Sequence, residues 1–188
     1  MTNKDYEKAA NFWKNKERVE MPSDVLRDQV EQYLTESHVC ALATGAGDFV
    51  RCTPLEYSYH DGAFWIFTEG GEKFIGLAEN SNVSLAVFDA NPNFGQLRSV
   101  QVMGIAEIVE PMSGEYVAHA EHKKIPLSAL QKLADNGEPM HLLKIKPTKA
   151  DILFSSFKKE GMTAGKSLNS QNSTHKRQQP FAVIDNKK

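Results

Sequence analysis

The sequence predicts a mainly β fold: a small antiparallel barrel with peripheral helices. Three observations carry that prediction. Six or so short β-rich runs follow one another between residues 38 and 157, and tight-turn signals such as Gly45-Ala46-Gly47 and Asp61-Gly62 separate them. Helical periodicity is confined to the N-terminal part and to insertions. At 188 residues, 40% hydrophobic and 24% charged, the chain is long enough to bury a sizeable core. It divides into N-terminal helices packing on the barrel (residues 1–36), the barrel itself (37–157) and a polar basic tail (158–188) that is disordered or docks on a partner.

In the first segment, Tyr6, Ala9, Ala10 and Trp13 recur at helical spacing. Pro22-Ser23-Asp24 is a break and restart, after which Leu26, Val30, Tyr33 and Leu34 form the next apolar stripe. HVCALAT is the first strand. Phe49–Tyr59 follows as one long strand whose Pro54 points to an edge or a bulge. Asp61-Gly62 is a hairpin turn leading into AFWIFT. Glu72 to Asn80 reads as a short helix. VSLAVFD is almost wholly apolar and reads as a strand buried on both faces. Ser99–Glu110 is a long strand with Val100, Val102 and Ile105 inward, and Gly104 marks a bulge or a tight corner. Gly114–Lys124 and Leu127–Ala134 read as helices, and HLLKIKPTKADILFSS supplies one or two closing strands. Past Phe157 the composition turns polar, except for FAVID at 181–185, which could dock as an extra strand.

Composition narrows the classes of function. No apolar run approaches the ~20 residues that span a bilayer, and the charged N-terminus lacks the apolar centre of a secretory signal. A cytoplasmic address is the expectation. Net charge is −2, with seven Lys/Arg against two Asp/Glu from Lys158 to Lys188. Those positive charges are scattered among Ser, Asn and Gln with almost no aromatics, so they read as a solvated tail rather than a nucleic-acid surface. Cys40 and Cys52 fall in predicted strands without CxxC spacing, which favours reduced thiols packed as small hydrophobes over a disulfide.

The chemistry concentrates between Phe49 and Glu79. Gly70-Gly71 permits backbone conformations that aim N–H groups at one point, and the following helix start adds its positive dipole end. Lys73 adds a compact charge and Thr68 a hydroxyl. Counted back from Asp61-Gly62, Arg51 falls level with Thr68 on the neighbouring hairpin strand. Arg suits bidentate recognition of phosphate and Lys suits it as a point charge. A phosphate-bearing ligand is the reading this pattern supports.

The order R-x-x-P on a strand, a turn, an apolar strand ending in Thr, a Gly-containing loop with Lys, then NxxVSLAVFD and VQVMGIAEIVE resembles the pyridoxamine 5'-phosphate oxidase-like FMN-binding split-barrel superfamily. The likeness runs from about Thr35 to Glu110 and more weakly to Phe157. It implies a six-stranded antiparallel split β-barrel and a homodimer, with FMN in the cleft between subunits and oxidoreductase chemistry on a small molecule. By the same resemblance, Arg51, Cys52 and Thr53 lie along the flavin, with Arg51 reaching its phosphate. Phe67 and Thr68 hold the ring edge, Glu72 and Lys73 close on the phosphate, and Ser99 or Gln101 presents a polar side chain. True pyridoxamine phosphate oxidases also carry a C-terminal Trp and an Arg-Leu-His-Asp-Arg-like segment. Here that region reads DILFSSFKKEGMTAGKS, so oxidation of vitamin B6 is not expected and the catalytic residues stay unassigned.

Two other patterns bear on chemistry. His119 and His122 sit three apart on a predicted helix, a spacing that can share a metal, yet no third ligand accompanies them and a solvent-facing helix is the expectation. Because some split-barrel relatives handle haem, the resemblance also makes His119, His122 and His175 candidate haem ligands in an alternative reading. A non-catalytic flavin-binding module is the remaining one. Gly165-Lys166-Ser167 imitates the end of a phosphate-binding loop but lacks the earlier glycine and the strand-to-helix context.

Overall fold

The computed structural model describes residues 21–158, 165–169 and 182–183, and the isolated positions 2, 4, 5, 7, 8 and 11. The apolar face expected at Tyr6, Ala9, Ala10 and Trp13 is therefore not covered as a whole, since those four positions lie outside the described residues. The restart after Pro22 is α1 (Ser23–Glu36), and it buries Leu26, Val30, Tyr33 and Leu34, the stripe read from spacing.

The strands are β1 (Val39–Ala46), β2 (Phe49–Glu56), β3 (Ser58–His60), β4 (Ala63–Thr68), β5 (Asn82–Phe88), β6 (Arg98–Val109), β7 (His141–Phe154), β8 (Gly165–Asn169) and β9 (Ala182–Val183). Three further helices are α2 (Lys73–Glu79), α3 (Gly114–His122) and α4 (Leu127–Asp135). All strand pairs are antiparallel, in the order β2-β1-β5-β6-β7-β4-β3, with β8 on β7 and β9 on β8.

The strand expected over Phe49–Tyr59 breaks at Tyr57. Its amide donates to His38 O at 2.9 Å and its hydroxyl to Leu34 O at 2.8 Å, so the backbone leaves one ladder and enters another. β2 and β3 are consecutive in the chain yet stand at opposite ends of the hydrogen-bonded order. With one residue joining them, the sheet must curl until its ends meet, which makes the split barrel. Pro54 sits on the edge strand β2, where its missing N–H costs least.

Inside the curl, Leu42, Leu85, Val102, Phe64, Ile66, Leu143 and Ile152 pack with Leu26 and Leu34 of α1. β5 was expected to be buried on both faces. It alternates instead, with Val83, Leu85 and Val87 inward and Ser84 and Phe88 exposed, because no described element covers its outer face. Gly104 lies at the bulge between Met103 and Gly104, where an added Cβ would meet Ile145 Cγ2 and Lys146 O at 2.8 Å. In β6, Ala106 is buried and Ile105 only half-buried, a correction to the inward set. A second cluster lies outside the barrel, where Tyr116 and Ala120 of α3 and Leu130 of α4 cover Trp65, Val109 and Leu142. Among the described residues no helix is long and apolar enough to cross a membrane.

Past Phe157 the described residues add two short strands, the second within the FAVID run expected to dock as one. Gly165-Lys166-Ser167 is part of β8, paired to Leu153, Ile152 and Asp151, and Leu168 is fully buried. Ala182 and Val183 pair with Asn169 and Leu168.

Candidate functional site

The loop after β4 holds the chemistry read from the sequence. Gly70 (φ 135°) and Gly71 (φ 100°) occupy backbone regions that residues with a Cβ rarely adopt, so the chain can turn sharply from Thr68 into α2. Lys73 folds back over this loop and donates to Gly70 O; although charged, it is only 5% exposed. Burial first, and then the positive charge of Arg51, holds its ammonium below the usual lysine range. Glu72 accepts a hydrogen bond from Arg51, and the pair is half-exposed. Phe67, Thr68, Glu69, Gly70, Gly71 and Met140 line a cavity of about 500 Å³ beside the loop. That volume is in the range of small-molecule sites. Arg51, Glu72 and Lys73 flank the cavity's glycine loop rather than line the cavity.

Arg51 reaches this corner by a route the sequence did not reveal. It is not on the strand paired to β4, since that hairpin stops at Ser58↔Trp65. It pairs with Thr44 across β1, and α2 brings Glu72 to it. The seat of α2 depends on two glycines: an added Cβ on Gly76 would stand 2.8 Å from Gly45 N and 3.1 Å from Gly45 Cα. Asn80 locks the helix end by donating to Gly45 O at 2.9 Å. The dipole argument fails, because α2 has seven residues and its first amides are already used, Phe74 N on Gly71 O and Ile75 N on Glu72 O.

The other flavin candidates divide by strand alternation. Arg51 and Thr53 face the inner side of β2, level with Thr44 and Leu42. Cys52 faces outward and is exposed, so it is not packed as a small hydrophobe. Cys40 is buried on the inner side, and burial pushes its thiol up to about 12; both cysteines are free. Ser99 and Gln101 also face outward on β6, and Gln101 is level with Pro54 through Ala86 and Ala41. Within one chain these two residues are separated from Arg51 by two intervening strands and by the thickness of the sheet. Thr44 Oγ1 and Thr53 Oγ1 are buried without a hydrogen-bond partner among the described residues. Sequence reading missed Met140 and His141. His141 stands opposite Thr68 with its ring 5.0 Å from Phe74, and only the β4–β7 pairing reveals that proximity.

α3 meets the expectation of a solvent-facing helix only in part, since His122 is exposed and His119 is not. His119 is 2% exposed and bonds to His60 at 2.9 Å, and its ring stacks on Trp65. Among the described residues no three His, Cys, Asp or Glu side chains could hold a metal ion. A ring so enclosed is not open to a haem iron. His175 lies outside the described residues.

A curled antiparallel sheet with a charged glycine loop beside a cavity and helices on part of its outer face defines a split barrel. The chain belongs to the pyridoxamine 5'-phosphate oxidase family, whose sequence pattern matches residues 26–154. Among solved structures it is similar to a FAD-binding protein from Mesorhizobium loti (24% identity, 65% of this chain and 87% of that one, TM-score 0.50). It is also similar to a putative pyridoxamine 5'-phosphate oxidase from Corynebacterium glutamicum (20%, 65% and 84%, TM-score 0.50). A heme-binding protein from Mycobacterium smegmatis aligns at 17% identity over 77% of this chain and 63% of that one, TM-score 0.55. At these identities the likeness shows the fold alone. No protein of curated function matches the sequence significantly.

Proposed function

We propose that the chain is an FMN-binding flavoprotein that works as a homodimer and serves two-electron oxidoreduction of a small molecule. The observation that carries this reading is Lys73. It is a buried cation held against Arg51, a second cation, over a loop of two positive-φ glycines at the edge of a cavity. Glu72 offsets only one of the two charges. A phosphate placed there would relieve the repulsion and complete the hydrogen bonding of both cations. Family membership and the relative named as FAD-binding support a flavin as the bearer of that phosphate.

When bound, the flavin supplies the hydride chemistry. Arg51 and Lys73 bind the phosphate, with Glu72 holding the Arg51 guanidinium in place. Thr68 and the β4 backbone orient the ring edge, Phe67 and Met140 exclude water from the cavity, and Thr53 offers its unpaired hydroxyl along β2. Among these residues none is placed to act as an acid or base, and hydride transfer to a flavin ring need not use one.

Support for a dimer comes from the outer face of β2, β1, β5 and β6, which no described element covers. There Val50 is 78% exposed, Val39 63%, Met103 56% and Phe88 54%, with Cys52 and Gln101 among them. A second copy on this face would bury that apolar surface. It would also bring Ser99, Gln101 and Cys52 to a ligand that they cannot share with Arg51 inside one chain. Spectra and mass analysis of the material that copurifies test the cofactor. Riboflavin should bind far more weakly than FMN, and equal affinities would defeat the phosphate argument even if flavin binds.

A further inference from the structure

Away from the cavity loop, one cluster of titratable side chains is bonded around a single buried ring, that of His119. His60, at the end of β3, has its Nε2 2.9 Å from His119 Nδ1 and its Nδ1 2.9 Å from Asp61 Oδ2. His122 of α3 tilts over His60 with ring centroids 4.0 Å apart. Trp65 of β4 stacks on both His60 and His119 at 5.1 Å, and Phe67 meets His119 from another side at 5.2 Å. Among the described residues, the remaining charged groups around the cluster are Lys123, the residue that caps the C-terminus of α3 and is ion-paired to Glu56 of β2, and Lys144 of β7, which lies over Trp65 and is ion-paired to Glu115 of α3.

We propose that this cluster is an acid-sensitive clamp that fastens α3 to the β3–β4 hairpin and releases it when His60 and His119 are both protonated. A 2.9 Å contact between two ring nitrogens needs one hydrogen between them. With both rings neutral and Asp61 accepting from His60 Nδ1–H, His119 donates through Nδ1–H to His60 Nε2. One added proton is accommodated: His60 donates from Nε2, and His119 accepts at Nδ1 after its own hydrogen moves to Nε2. A second proton puts N–H groups on both facing nitrogens and a charge on a buried ring. The hydrogen bond then becomes a repulsion. Burial, followed by the charges of His60, His122 and Lys123, pulls His119 down to about 4, so the second proton arrives only in acid.

The clamp also backs the cavity. Phe67 packs on His119 and Tyr116, and the Tyr116 hydroxyl donates to Met140 O at 2.9 Å. Phe67 and Met140 both line the cavity, so release of α3 loosens its wall. The consequence for flavin rests on the reading above, whereas the clamp itself does not.

The test follows Trp65 fluorescence in the full chain carrying Trp13→Phe, as pH falls from about 8 to about 3.5, a range that spans histidine titration. Far-UV circular dichroism is recorded on the same samples. The expected result is a red shift of Trp65 near pH 4 while the β signal persists. In His60→Gln, whose amide never titrates and can bond His119 in either state, the shift should move down by at least about one unit. Asp61→Asn, at an exposed turn, should also move it down, by removing a carboxylate that favours the protonated rings. Equal midpoints in the parent and both variants, or simultaneous loss of the β signal, would overturn the clamp. A protein that binds no flavin at any pH but shows the shifted midpoints would support the clamp and sink the flavin reading instead.

Discussion

Gly76→Ala isolates how α2 is seated and whether that seat positions the charged corner. Elsewhere in a helix this change would stabilise by about 1 kcal/mol, since alanine restricts the unfolded chain. Here the new Cβ would lie 2.8 Å from Gly45 N, 3.1 Å from Gly45 Cα and 3.2 Å from Thr44 C. All three are backbone atoms of β1, so no side chain can rotate out of the way and the helix itself must shift. Overpacking of this kind costs about 1–3 kcal/mol. With the clash near the upper end and the propensity gain subtracted, the net loss is about 2 kcal/mol. For a domain of this size that lowers Tm by about 4–8 °C. Urea and thermal melts read the stability, and FMN titration reads the site, because α2 carries Lys73 and its cap residue Glu72. Gly114→Ala is the control: nothing lies within 4 Å of its added Cβ, and stability should hold or rise by up to about 1 kcal/mol. Gly76→Ala as stable as the parent, with unchanged FMN affinity, would refute the close contact between α2 and β1.

Further outcomes are expected. Arg51→Ala and Lys73→Ala should each weaken FMN binding by about 1.5–3 kcal/mol in calorimetry, as loss of a charged hydrogen bond to phosphate requires; full affinity in both removes the assignment. Met103→Lys, on the uncovered outer face, should yield a monomer in light scattering with weakened flavin retention, and an unchanged mass in solution would place the dimer contact elsewhere. Between pH 6.5 and about 4 the unfolded chain binds a proton that buried His119 does not, so stability falls as pH falls through that window. At 1.36 kcal/mol per unit the loss reaches about 3 kcal/mol. Urea melts at the two ends of the window should show it in the parent and not in His119→Phe; equal slopes would mean that His119 is not held neutral.

Much of the architecture was legible along the chain because its causes are local. The stripe Leu26, Val30, Tyr33 and Leu34 repeats at helical spacing, and α1 buries those residues. Asp61-Gly62 turns with φ of 51° and 70°, as a tight hairpin demands. Gly104 marks the bulge because its added Cβ would meet the next strand. The glycine loop and Lys73 stood out for the same reason: residue type at short range restricts backbone angles and places charge.

Local residue pattern set the kind of element at each of these places, the mainly β class and the stretch in which anion-binding residue types gather. Which of them meet depends on how distant segments pair. Tyr57 breaks a strand that reads as continuous, so Arg51 faces Thr44 rather than β4. The described elements cover β5 on one face only, and His119 is enclosed by a hairpin 59 residues away in the chain. The physical reason is range. Periodicity and turn stereochemistry act over a few residues, whereas strand pairing, burial and the approach of two cations arise only when distant segments share one curled sheet.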